Sequence, residues 1–110
     1  MIETILINYL GAKLDVPVVM EAPNQVTDYV LLDKTGSGRS NHIVTSTFAI
    51  QSYGKTLYDA MLLNDKVVKA MTDMITLDNI TKVELETDYN FTNTASKQYR
   101  GKAVFNITHY

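Results

Sequence analysis

The last third of the chain alternates apolar and polar residues along two consecutive runs, a pattern that calls for a β-hairpin. Val83, Leu85, Tyr89 and Phe91 alternate with Glu84, Glu86, Asp88 and Asn90. In the returning run Tyr99, Ala103, Phe105 and Ile107 take one face, and Arg100, Lys102, Asn106 and Thr108 the other. Successive strand side chains point to opposite sides of a sheet, so each run has a core face and a wet face. One register brings Glu84 and Glu86 near Lys102 and Arg100; a shift by two brings Glu86 near Lys102 and Asp88 near Arg100. Either sets acid opposite base, which contributes about 0.2–1 kcal/mol per pair.

Upstream of the hairpin the period changes. Leu57, Met61, Val68, Met71 and Ile75 recur at helical spacing, with Leu62 and Met74 widening the stripe. This predicts one long helix over residues 54–76, N-capped by Ser52, even though Asn64-Asp65 interrupts it. Ile2, Ile5, Leu6, Tyr9 and Leu10 predict a short amphipathic helix over 2–13. Asp15-Val16-Pro17 ends it, and Val18-Val19-Met20 suits a short edge strand, where a neighbouring proline is tolerated. Residues 27–34 read as a second strand. From His42 to Ser52, Val44, Phe48 and Ile50 alternate with Thr45, Thr47 and Gln51, which predicts a third. Between them, residues 34–41 hold two glycines and two serines and read as a mobile loop. The expected fold is α+β: a largely antiparallel sheet of about five strands carrying an N-terminal and a long central helix, in the order α-β-β-β-α-β-β. Its core is expected to contain Phe48, Ile50, Leu57, Met61, Val68, Met71, Leu85, Phe105 and Ile107.

At 110 residues the chain fits one domain, 1–110, and its 45% hydrophobic content supplies one core. A domain this small buries about two-thirds of its surface or less, so association with copies of itself would add stability. A net charge of −2, spread along the chain, lacks the basic stripe of a dedicated nucleic-acid binder. No cysteine is present, which excludes disulfides and thiolate metal sites. No apolar run approaches the roughly 20 residues that span a bilayer, and no basic leader precedes one. The expectation is a protein that folds in the cytoplasm.

Few residues invite chemistry. Gly54-Lys55-Thr56 stands where a phosphate-binding loop would place Gly-Lys-Thr, but the glycine that such a loop needs five positions earlier is Ala49. Glu84, Glu86 and Asp88 are spaced for a charged strand face rather than for converging metal ligands. His42 and His109 are the only histidines, too few for a histidine zinc site. Ser37, between Gly36 and Gly38, lacks the strand-to-helix turn of a nucleophile elbow. The residues therefore predict no catalytic group, no cofactor and no metal. Of the seven tyrosines, Tyr29, Tyr89 and Tyr99 read as core, while Tyr53 and Tyr110 suit an interface with one apolar and one wet side.

Several longer stretches resemble the tail terminator (tail-completion, minor tail protein) family of long-tailed phages and prophages of Gram-positive bacteria. They are Pro17-Val18, Tyr29 to Gly36, the segment from Asn41-His42-Ile43 through Phe48 to Tyr53, Lys55 with Leu57 to Ala60, Ser96 to Arg100, and Ala103 to Tyr110. The resemblance spans nearly the whole chain. It implies a non-enzymatic structural protein of the virion tail, assembled in the host cytoplasm as a ring, usually a hexamer. Such a ring caps the tail tube and joins it to the neck, so the implied partners are further copies of the chain, the tail tube protein and a neck or head-completion protein. A head-completion or connector protein, typically twelve-fold, is the alternative within the same class. A ring of this type needs different surfaces toward its left and right neighbours. Lys34, Arg39, Tyr53 and Tyr110 are the candidate assembly residues.

Overall fold

A computed structural model describes residues 2–23, 28–40, 43–78, 80–92, 95 and 98–109. The elements run α1 (Ile2–Lys13), β1 (Val18–Val19), β2 (Tyr29–Ser40), β3 (Ile43–Gly54), α2 (Leu57–Asp73), a 3-10 turn (Met74–Thr76), β4 (Ile80–Asn90) and β5 (Tyr99–His109). This is the expected α+β order. The strands form one mixed sheet in the order β1-β2-β3-β5-β4. Only the two-residue β1 pairs parallel, Val18 and Val19 lying against Val30 and Leu31; every other pair is antiparallel.

Both helices pack on one face of this sheet. Ile2, Leu6 and Leu10 of α1 and Leu63, Val67, Met71 and Met74 of the α2 segment share a core with Val30, Leu32, Phe48, Ile50, Ala103, Phe105 and Ile107. Each large apolar side chain taken fully out of water contributes about 1.5–3 kcal/mol. Tyr9 links the helices by donating its hydroxyl to the Ala70 carbonyl at 2.7 Å.

The long helix is a single element, as expected, but it starts later and is rotated. Ser52 lies within β3, and the N-cap is Thr56, whose Oγ1 accepts from the Asp59 amide at 3.1 Å. Its sheet-facing row is Ala60, Leu63, Asn64, Val67, Ala70 and Met71. Leu57 is 41% exposed and Ile75 46%, while Met61 and Val68 are half-buried. The physical reason is close approach. Alanines and a glycine at the contact let the helix sit low on the sheet, and a Cβ on Gly101 would come within 2.9 Å of the Asn64 side chain. Gly54 is required in the same way: a Cβ there would meet the Ala60 backbone nitrogen at 2.5 Å.

Three strand expectations are also corrected. Lys34 to Ser40 is not a loop but the distal half of β2, laddered to β3 as far as Ser40 opposite Ile43, with a bulge between Lys34 and Gly36. The strand predicted over 27–34 therefore runs Tyr29–Ser40. The odd-numbered face of β3 is not wholly wet, since Ala49, Gln51 and Tyr53 are buried. In the hairpin, neither predicted acid–base register forms. Glu84 stands opposite Asn106, Asp88 opposite Ala103 and Tyr89 opposite Lys102: the ladder is already offset from both predicted registers at Glu84, and a bulge at Glu86 shifts it by one more. Glu84 instead pairs with Lys82 on its own strand. Leu85 is 46% exposed, and Tyr89 is exposed rather than core. Residue 27, Asn41, His42, Ser96, Lys97 and Tyr110 lie outside the described residues.

Candidate assembly surfaces

The bulge at Glu86 decides which side chains meet on the sheet face turned away from the helices. Before it, Val83 and Leu85 stand opposite Ile107 and Phe105, on the helix side. After it, Asp88 takes the helix side, where Asn64 Nδ2 donates to its Oδ1. Tyr89 and the following Phe91 are thereby turned to the opposite face, where their rings meet edge to face at 5.8 Å.

On that face Arg100 is the centre of a cluster. Its Nε donates to the Phe91 carbonyl at 2.8 Å, and its Nη1 donates to Tyr53 Oη at 2.8 Å. The guanidinium also lies 4.5 Å from the centroid of the Phe91 ring, which Lys102 approaches equally closely. Tyr53 donates onward to Gln51 Oε1 at 2.9 Å and stacks on Tyr29 with centroids 4.3 Å apart. Burial of Tyr29 raises its pKa above the usual 10.0; the adjoining Tyr53 adds to this, and Arg100 opposes it. Aromatic rings, a planar cation and an amide here satisfy one another, so the cluster is a structural tie across the strands.

The candidate residues are spread along the molecule rather than gathered. Tyr53 is only 6% exposed and is engaged in the cluster just described. Lys34 reaches Glu3 of α1 at 4.0 Å, and Arg39 is exposed near the far end of β2, opposite Val44. Sequence reasoning missed the role of Arg100. Its signal is an arginine two residues before Lys102 on a strand facing aromatics; Arg100 bonds Phe91 and Tyr53 rather than the acids of β4.

What it also missed is a half-exposed apolar seam. Leu57, Met61 and Val68, continued by Ile75 of the 3-10 turn, run along the flank of α2 that adjoins β4, and Leu85 and Val83 face the same side from β4 itself. Beside the seam, β4 is an edge strand of eleven residues whose one ladder partner among the described residues is β5. A long exposed edge flanked by apolar side chains is a surface prone to pairing with another chain.

The residues that resembled chemical motifs have structural roles. Gly54, Lys55 and Thr56 form the strand-to-helix turn; the Lys55 amide donates to Asp28 Oδ1 at 3.1 Å and Thr56 caps the helix. His109 is buried, with Nε2 3.0 Å from Ser46 Oγ, and Ser46 is itself wholly buried, out of reach of a substrate. Among the described residues no cluster of three or more histidine or acidic side chains is placed to hold a metal ion. Nor is any described helix long and apolar enough to cross a membrane. A cleft of about 210 Å³ near the start of α2 is lined by Val16, Asp28, Asp59, Leu62 and Lys66. Neither a protein-family model nor a curated protein sequence matches the chain.

Proposed function

We propose that this chain is a structural subunit of a phage or prophage tail, a tail terminator that forms a ring on the completed tail tube and joins it to the neck. The reading rests on the resemblance stated above. The observation that best supports an assembly role is the apolar seam of Leu57, Met61, Val68, Ile75 and Leu85 beside the open edge of β4. That surface leaves apolar area in water which a neighbouring protein would cover, at about 25 cal/mol per Å² removed from solvent.

On this reading the partners are further copies of the chain, the tail tube protein and a neck or head-completion protein, and the site of action is the virion tail. Capping is stoichiometric: the ring occupies the growing end of the tube and stops polymerisation without a chemical step. A single subunit offers the tube a small contact, so affinity comes from several subunits of the ring engaging together. The test is the tail population of a phage lacking this gene. Abnormally long tubes without heads are expected; normal-length tails joined to filled heads would end the terminator reading. Counting subunits in the isolated ring separates a six-fold terminator from a twelve-fold connector.

A further inference from the structure

The sheet ends on two open edges of different character. On one flank β4 exposes its outer edge along Ile80–Asn90. On the other, β1 covers only Val30 and Leu31, leaving the β2 backbone from Asp33 to Ser40 without a second strand among the described residues. Natural sheets normally shorten, cover or twist such edges, because unpaired amides and carbonyls recruit another strand. We infer that the two edges pair with each other between successive copies of the chain, β4 of one subunit lying antiparallel to the distal half of β2 of the next.

Strand direction supports this occupant. β2 and β5 run one way and β3 and β4 the other. A second copy set beside the first in the same orientation therefore presents its β2 antiparallel to β4, with no inversion. The contact joins unlike surfaces, so it propagates from subunit to subunit and closes if the rotation permits.

Charge supports it as well. β4 carries Glu84, Glu86 and Asp88 against Lys82 alone, while the open part of β2 carries Lys34 and Arg39 against Asp33. The bulge after Lys34 puts both cations on one side. Lys34 follows Leu32 on the helix side, and Arg39 returns there opposite Val44. In a continuous sheet that is the side of Leu85, Asp88 and the apolar seam. The aliphatic stems of Lys34 and Arg39 then lie on the seam while their charged heads reach toward Asp88, the acid that the register places on that side.

The inference deepens the ring reading by naming its subunit contact, and it is tested on the purified full-length chain, apart from tails. The wild type is expected to form a discrete oligomer by native mass spectrometry. A Lys34→Glu/Arg39→Glu chain and an Asp88→Lys chain each set like charges together on that side, and self-association is expected to weaken about ten-fold or more. Mixed in equal amounts, the two restore opposite charges at every junction, and the oligomer should return. A wild type that stays monomeric at its solubility limit, variants that assemble like the wild type, or a mixture that stays dissociated would each overturn the pairing. Should either variant melt early, amide exchange on the wild type decides. Slower exchange along β4 and residues 33–40 in the oligomer supports the pairing, and protection confined to other surfaces refutes it. A paired-edge oligomer together with normal tails in the gene deletion would leave this inference standing and remove the terminator reading alone.

Discussion

Arg100 donates to Tyr53 across the β5–β3 ladder, and the two are also direct register partners. The link belongs to a row that runs from Phe91, just past β4, through Arg100 and Tyr53 to Tyr29 on β2, joining three strands and the end of a fourth. A lysine in place of Arg100 keeps the charge but cannot hold both the Phe91 carbonyl and the Tyr53 hydroxyl in one planar fork. Arg100→Lys is expected to cost about 1–2 kcal/mol in urea unfolding, a charged hydrogen bond discounted for partial exposure. A variant as stable as the wild type would mean that the stack, not the guanidinium, holds this face.

The same row makes the fold sensitive to alkali. Tyr29 holds its proton above the ordinary value of 10.0 through burial and then the neighbouring Tyr53, partly offset by Arg100. Tyr9 does so through burial and then Asp73. Both folded values lie above the unfolded one, so the stability these phenols contribute is full below about pH 10 and is lost as pH rises through their folded values. The urea midpoint should therefore fall beyond about pH 10, and more shallowly in Tyr29→Phe. An identical alkaline limb in the variant would exclude Tyr29 as a source.

Two truncations distinguish the buried face of the sheet from the exposed flank of the helix. Phe105 is 1% exposed and faces both helices from the middle of β5, so Phe105→Ala should cost about 3–5 kcal/mol. Leu57, although apolar and in register with Met61 and Val68, is half in water; Leu57→Ala should cost about 1 kcal/mol or less. Equal losses would place α2 in the rotation that its apolar spacing first suggests.

Close packing at the glycines gives a graded pair. At Gly54 an added methyl meets the backbone of Asp59 and Ala60, which cannot move without shifting the helix. At Gly101 it meets Asn64 Cβ and Cγ and the flexible end of the Met61 side chain, side-chain atoms rather than helix backbone. Gly101→Ala should cost about 1–3 kcal/mol and Gly54→Ala more, measured as the shift in thermal midpoint.

The order and type of the elements were legible because period-two and period-3.6 patterns differ plainly along the chain. The details that failed share a physical cause: each depended on a partner that the local pattern does not name. The row Leu57, Met61, Val68, Ile75 is as periodic as the buried one, and small Ala60 and Ala70 win the sheet because they permit close approach. Gly36, Ser37 and Gly38 read as a loop, yet backbone hydrogen bonds to β3 need no side chain. Of the candidate assembly residues, Lys34 and Arg39 lie on an open strand edge, whereas Tyr53 is engaged within its own sheet.

The bulge at Glu86 was invisible for the same reason, and it allows the sharpest test of register. Val83, Leu85, Tyr89 and Phe91 all stand at odd numbers, with Thr87 between them, so the parity of the sequence shows no shift, although Tyr89 and Phe91 stand on the face opposite Val83 and Leu85. Glu86 is the extra residue: Leu85 pairs Phe105 and Thr87 pairs Val104, the next position on the partner strand. Deleting Glu86 joins Leu85 to Thr87 in an unbroken alternation and leaves Asp88 toward Asn64 and Tyr89 toward Lys102. Deleting Val104 from the unbulged β5 instead turns one half of that strand inside out, because a one-residue slip moves every side chain to the other face. The chain lacking Glu86 should therefore fold, with stability within about 1 kcal/mol of the wild type, and keep dispersed amide resonances. The chain lacking Val104 should not fold. Loss of structure in the Glu86 deletion would show that the pairing runs in continuous register through Glu86, with Tyr89 and Phe91 on the helix side.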